Sequence, residues 1–468
     1  MSFMKFIRSY PLFLITALGF SSEMSGADLH TPGSPVEFTK PAWLTDLSLG
    51  GKEGYDDNVM LVAGKNPGLP PKSSWITTVS PKIGFNFAPL FGKQTPLQTF
   101  SLVYSPDFNF YHDASSESYN AHRIGNVIKG KAGNFSFSLD NAFLFNDGDS
   151  QGPVYALDQG AAAAGQYDKN RNAYATAIAR ERRKQIQERN TIVLQYDAGK
   201  FFIRPTASLL YYDLMTGLHK TSLAPYKGYQ NYSDRADVNG GLDLGWKVTK
   251  DLAITAGYRY GYQYQQAYPS TVDSGMVNGQ QMQSSANYQR ILFGLEGKPW
   301  KWLTVKLAAG PEFRDYNSAA PVDNYHPLNY YGEAVLTATL TSSQTLSFLY
   351  KHWQWVASTG KVPYADSSYT LTYHWNATKQ LGFDLTGKAG ESDYNYSSVV
   401  KTSNSCLRDD IMYSLSAGVT YAFTPHFSTT LGYTYDFGRN LQDNVPAPGP
   451  GYREFDHQLV TLSAQYKF

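Results

Sequence analysis

From Val460 to Phe468 every second residue is apolar. Val460, Leu462, Ala464, Tyr466 and Phe468 alternate with Thr461, Ser463, Gln465 and Lys467. Successive side chains of a strand point to opposite faces, so strict alternation describes a strand lying between an apolar medium and water. The pattern recurs in roughly eighteen stretches. Tyr413, Leu415, Ala417, Val419 and Tyr421 oppose Ser414, Ser416, Gly418 and Thr420, while Ile254, Ala256, Tyr258, Tyr260 and Tyr262 oppose Thr255, Gly257, Arg259 and Gly261. These stretches run for about ten to fifteen residues, whereas strands of soluble proteins average about five or six. A tilted strand crosses the hydrocarbon core of a membrane in about nine to eleven. Length therefore favours membrane-spanning strands over a soluble sandwich or solenoid.

Composition agrees. Charged residues make up 17% of the chain and aromatic residues 15%, with 36 Tyr. The mean hydropathy of −0.39 excludes a bundle of apolar helices. Cys406 is the only cysteine, which rules out an intrachain disulfide and a cysteine-rich zinc site. Residues 1–27 read as a signal peptide: Lys5 and Arg8 precede the short apolar run of residues 12–20, and Ser25-Gly26-Ala27 supplies small residues for cleavage. Loss of Lys5, Arg8 and Glu23 leaves a neutral mature chain, so no nucleic-acid partner is indicated.

Connections alternate between short and long. Short turns are expected at 131–134, 197–200, 249–251, 298–301, 341–344, 377–380 and 424–426. Longer loops are expected at 51–74, 146–182, 215–231, 267–281 and 317–329. This is the layout of an all-β, up-and-down antiparallel transmembrane barrel with short periplasmic turns and long extracellular loops. The expected organisation is a short periplasmic segment at 28–44 followed by a barrel at 45–468. Pairing of the first strand with the last leaves no open edge. We expect eighteen strands, with sixteen as the alternative. Two stretches fit less well. Residues 122–131 put Asn126 on the lipid-facing phase, and Trp353 and Trp355 break the phase set by Leu346 and Phe348. A bulge or the end of the membrane band is expected there, with both Trp anchored at the membrane interface.

A strand of this kind closing on a terminal Phe resembles the C-terminal signature of bacterial outer-membrane barrels. Residues 103–123 (VYSPDFNFYHDASSESYNAHR) are similar to the beta-barrel porin 2-like families of Gram-negative outer-membrane proteins. The resemblance implies residence in the outer membrane among lipid and lipopolysaccharide, and insertion by the barrel assembly machinery. It also implies passage of small hydrophilic solutes, with a homotrimer as one expected assembly. It carries over no site residues.

Eighteen strands about 4.8 Å apart and tilted by about 40° enclose a cylinder roughly 35 Å across, too wide for wall side chains to fill. Residues 28–44 are too few for the plug of a TonB-dependent transporter. The third long loop, 146–182, resembles in position and length the inward-folded loop of general porins. Residues 174–183 in it have the composition of a short helix, and Arg180, Arg182 and Arg183 are candidate constriction residues. The alternative is an extracellular flap over the rim. The candidate pore-lining cations are Lys82, Arg189, Arg204, Lys247, Arg259, Arg290, Lys306, Arg314 and Lys388. The candidate anions are Asp107, Asp140, Asp243, Glu296, Glu312, Glu333, Asp384 and Asp436. Mixed signs indicate cross-strand pairing and no strong ion selectivity.

No catalytic constellation is legible: there is no HExxH or GxSxG, and residues 382–389 imitate a phosphate loop within an alternating strand. His352 and His374 fall on neighbouring expected strands without an evident nucleophile. Asp56, Asp57 and Asn58, or Asp147 and Asp149, are read as turn formers ahead of a Ca²⁺ site. No metal or cofactor is expected. The function expected is passive diffusion of small hydrophilic solutes through an outer-membrane channel, not enzymatic. The alternatives are a solute-specific or glycan-export channel, and a barrel enzyme or adhesion barrel with a closed lumen.

Overall fold

The computed structural model describes residues 41–59, 61, 73–92, 95–149, 167–168, 173–174, 183–215, 234–266, 276–277, 280–281, 283–356, 363–393, 409–440 and 455–468. The signal peptide, most of the segment at 28–44, most of the third long loop, Arg180 and Arg182 lie outside the described residues. Arg183 is the first residue of a strand.

The alternating stretches form a single antiparallel sheet. Its strands are β1 (Leu44–Asp56), β2 (Ser74–Asn86), β3 (Leu97–Tyr104 continued by Asp107–Tyr111), β4 (Tyr119–Ala132), β5 (Phe135–Asp149) and β6 (Arg183–Ala198). There follow β7 (Phe201–Asp213), β8 (Arg235–Lys247), β9 (Leu252–Gln265), β10 (Ala286–Trp300), β11 (Leu303–Tyr316) and β12 (Leu328–Thr341). The last six are β13 (Gln344–Val356), β14 (Pro363–Asn376), β15 (Leu381–Asp393), β16 (Asp409–Ala422), β17 (Phe427–Asn440) and β18 (Phe455–Lys467). Each strand pairs with its sequence neighbours, and β1 pairs with β18 from Ser48↔Lys467 to Asp56↔Leu459. The sheet is thus an eighteen-stranded closed barrel, as the periodicity predicts. The interruption in β3 falls at Ser105-Pro106, where the proline has no N–H to give the ladder.

The turns at one end of the barrel are tight. Gly133 and Gly199 occupy two of them with φ of 59° and 68°, a backbone conformation that glycine adopts without steric cost. The convex face carries the apolar phase, with Leu415, Leu431, Leu462, Phe293 and Leu244 all exposed. Tyr hydroxyls towards the long-loop end of this face find polar partners, as in Tyr258 to Gln289 (3.1 Å) and Tyr435 to Asp456 (2.8 Å). Among the described residues no helix is long and apolar enough to cross a membrane.

Candidate functional site

The other phase of each strand faces the lumen. Side chains on strands that are not neighbours can meet only on the concave face, and here they do. Arg204 on β7 makes a forked pair of 2.8 Å hydrogen bonds with Glu296 on β10. Its Nε donates to Asp243 on β8 (3.1 Å), whose second oxygen holds Arg259 of β9 at 2.7 Å. One turn of register towards the long loops, Glu312 on β11 accepts from both Arg290 and Arg314. Arg314 Nη1 then donates to Gln263 (2.7 Å), and Gln263 and Tyr288 both donate to Asp237 (2.9 Å each). The Arg290 guanidinium lies between the rings of Tyr288 and Tyr331, 4.2 and 4.3 Å from their centroids. Lys306 pairs with Glu333 (3.3 Å) and Lys247 with Asp197 (2.7 Å).

The rest of the wall is different. Its ion pairs are scattered: Lys82 with Asp46, Arg123 with Asp107, Arg189 with Asp140 (3.6 Å) and His374 with Asp384 (2.9 Å). Lys388 occupies the same phase of β15. Hydroxyl pairs fill much of β14 to β17, among them Ser416 with Thr434 (3.1 Å) and Thr420 with Thr430 (2.9 Å). At the closing seam, buried His457 on β18 sits 3.0 Å from both Asp56 on β1 and Asp436 on β17. The lumen therefore has a charged stretch of wall on β7–β12 and a hydroxyl-rich stretch on β14–β17.

The described outer end of the β13–β14 hairpin, residues 352–356 and 363–366, called its tip below, lies inside the barrel. β13 pairs with β12 only as far as Gly332↔His352, yet keeps its ladder with β14 out to Val356↔Pro363. Burial stops alternating at that point. Every residue from His352 to Val356 is buried, with Trp353 at 3% and Trp355 at 0% exposure. A strand segment covered on both faces has left the wall and crossed into the lumen. Lumenal side chains of β8, β9 and β11 hold its backbone: Gln354 O accepts from Arg314 Nη2 and Gln263 Nε2 (2.9 Å each), and Val356 O accepts from Arg235 Nη1 (3.1 Å). The Trp353 and Trp355 rings stack at 4.5 Å, and both belong to one buried cluster with Tyr212, Tyr364, Leu210, Leu292, Tyr331 and Val356.

These observations correct the expectation that Trp353 and Trp355 are interface anchors. Both lie on the lumenal phase, and the ladder with β14 runs past them without a bulge. Amphipathic rings suit either place, and the sequence periodicity does not say where a strand leaves its neighbour. Residues not singled out above include Arg235, Asp237, Gln263, Tyr288 and Lys351. Their signal was present for Arg235 and Asp237, which continue the phase of Asp243 and Lys247 to the start of β8.

His352 and His374 do not share a site. His352 lies on the convex phase, stacked on Tyr330 and bonded to Ser367 Oγ (2.8 Å), while His374 faces the lumen. Asp56, Asp57 and His457 bring ligand atoms within 4.8 Å of one another. Asp56 also accepts from Asn58 N (3.0 Å) and Asp57 from Gln458 N (2.6 Å), bonds that make a turn and close the seam.

A closed antiparallel barrel with an apolar convex face and a polar lumen has the architecture of a transmembrane β-barrel. No protein-family model and no curated protein sequence matches the chain. Solved structures of similar architecture include Pseudomonas aeruginosa OccK2 (OpdF) in complex with glucuronate, with 10% identity, 90% of this chain and 98% of that chain covered, and a TM-score of 0.41. Another is Pseudomonas aeruginosa OpdK with vanillate, at 10% identity, the same coverages and a TM-score of 0.41. Acinetobacter baumannii OccAB3 has 11% identity, covers 90% and 98%, and scores 0.39.

Proposed function

We propose that the protein is a channel for small hydrophilic solutes, with the β13–β14 tip setting the narrowest part of the path. The observation that carries this reading is the lumen itself. A barrel roughly 35 Å across leaves a water-filled interior unless something occupies it, and the described part of the hairpin end is held by side chains of β8, β9 and β11. The wall charges neutralise one another, which favours passage of uncharged or weakly charged solutes over strong ion selectivity. The pore-lining roles of the wall residues belong to this reading, as do insertion by the barrel assembly machinery and contact with lipopolysaccharide. The lumenal aromatics concentrate around the hairpin tip instead of tracking along the wall. That favours diffusion over a solute-specific or glycan-export channel.

Single-channel recording of the purified protein in a planar bilayer tests the proposal. Steady openings with weak cation-to-anion preference are expected. Currents blocked steeply by one solute class would shift the reading to a specific channel, and electrical silence would favour a closed barrel.

A further inference from the structure

Tryptophan and lysine gather on one arc of the tight-turn end of the barrel. Trp246, Trp300 and Trp302 lie at the β8–β9 and β10–β11 turns and are 45%, 58% and 49% exposed. Trp300 and Trp302 stack at 5.8 Å, and exposed Val248 and Phe201 extend the apolar surface to the β6–β7 turn. Lys200, Lys250, Lys298 and Lys301 stand beside these side chains in the same three turns, all exposed. Backbone hydrogen bonds tie the turns to their neighbours: Lys247 N to Lys200 O (2.8 Å), Lys298 N to Asp251 O (2.6 Å) and Thr339 N to Trp302 O (2.7 Å). The nearby carboxylates are mostly engaged, Asp197 by Lys247 (2.7 Å) and Glu296 by Arg204 (2.8 Å). Asp251 remains, 4.0 Å from Lys250. Among the described residues no carboxylate pairs with Lys200, Lys298 or Lys301. Other turns at this end are poorer: Ser342-Ser343 and residues 424–426 hold neither lysine nor Trp, and residues 377–380 hold only Lys379.

Trp settles at the boundary between hydrocarbon and headgroups, because its ring is apolar and its N–H is polar. A lysine beside it keeps its methylenes on apolar surface and extends its amine outward. The Trp rings thus mark the membrane boundary, and the lysines reach the level of the lipid phosphates. We infer that this arc, from the β6–β7 turn to the β10–β11 turn, binds the headgroup of an anionic phospholipid. Four lysines against Asp251 alone call for a ligand with net negative charge. A zwitterionic headgroup brings its own cation and cancels much of the attraction. A soluble acidic protein would engage the lysines but would leave the Trp rings between them without a role. The choice of phospholipid over lipopolysaccharide rests on the channel reading above, which puts the tight turns on the periplasmic side. One lysine near an anionic membrane surface strengthens binding about fivefold.

The test uses the full-length protein in mild detergent and native mass spectrometry with added phosphatidylglycerol or phosphatidylcholine of identical acyl chains. The native protein is expected to hold phosphatidylglycerol about tenfold more tightly or better. The Lys200→Gln/Lys250→Gln/Lys298→Gln/Lys301→Gln variant should bind the two lipids alike, with its barrel checked by heat-modifiable gel mobility. Should that variant fail to fold, Lys298→Gln/Lys301→Gln alone is expected to lose most of the preference. Lys131→Gln/Lys379→Gln/Lys467→Gln removes three lysines from the rest of the rim and should keep it. Equal binding of both lipids by the native protein, an unchanged preference in Lys298→Gln/Lys301→Gln, or an equal loss in the control variant would each overturn the inference. So would displacement of the lipid by inorganic phosphate but not by chloride at equal ionic strength. None of these readouts depends on conductance: a barrel that prefers phosphatidylglycerol but passes no current would count against the channel proposal alone.

Discussion

Arg235 on β8 donates from Nη1 to the backbone carbonyl of Val356 on β13 at 3.1 Å, although several strands separate them around the ring. The same guanidinium lies over the rings of Tyr212 and Trp355, 5.0 and 5.6 Å from their centroids. One side chain thus fastens the hairpin tip by its backbone and by its aromatic surface. A hydrogen bond from a charged group contributes about 1.5–3 kcal/mol. Arg235→Leu should therefore weaken docking of the tip by roughly 10- to 100-fold in its bound-to-free ratio. The expected outcome is larger or noisier single-channel conductance, with Gln263→Ala acting in the same direction. Unchanged current in both variants would mean that the tip does not obstruct the path.

The barrel was legible in the sequence because its governing signal is local. Alternation needs only the strand itself, and the tight turns at Gly133 and Gly199 announce themselves by residue type. Closure followed from the matching phases of β1 and β18. The inward tip was not legible. Trp353 and Trp355 were visible as a break in the apolar phase, but the departure from β12 into the lumen depends on partners such as Arg235 and Gln263, contributed by β8 and β9. Asn126 was visible as a phase violation, whereas its alignment with Asn141 and Asn190 required the register of three strands.

Glu312 is buried between two guanidiniums that it serves at once. Glu312→Gln would leave Arg290 and Arg314 without their shared anion. Removing one partner of a buried ion pair costs about 3–5 kcal/mol. Denaturant unfolding of the detergent-solubilised barrel should show a loss of that order. A change below about 1 kcal/mol, the range of exposed pairs, would indicate that water reaches the cluster freely.

Gly261 on β9 faces the lumen where the Tyr288 ring passes. A Cβ at this position would lie 2.3 Å from Tyr288 Cζ. Tyr288 holds Asp237, and Asp237 in turn holds Gln263. Gly261→Ala should displace the ring and loosen this chain of hydrogen bonds without touching the convex face. Overpacking of this kind costs about 1–3 kcal/mol. The variant should be less stable to denaturant and should share the conductance change of Gln263→Ala. Wild-type stability together with wild-type current would show that Tyr288 moves aside at no cost.

Leu415 and Ser416 are neighbours on β16 with opposite surroundings. Leu415 is 51% exposed on the convex face, while Ser416 faces the lumen and bonds Thr434. An arginine on the lipid side near mid-depth destabilises a membrane barrel by about 2–4 kcal/mol, whereas a lumenal arginine remains in water. Leu415→Arg should accordingly lower folding stability in lipid vesicles by that amount. Ser416→Arg should cost under about 1 kcal/mol and act instead on the current, adding a preference for anions. The pair separates the two faces of one strand by a single residue. Equal losses, or a larger loss at Ser416, would invert the assignment of the convex face to lipid and the concave face to water.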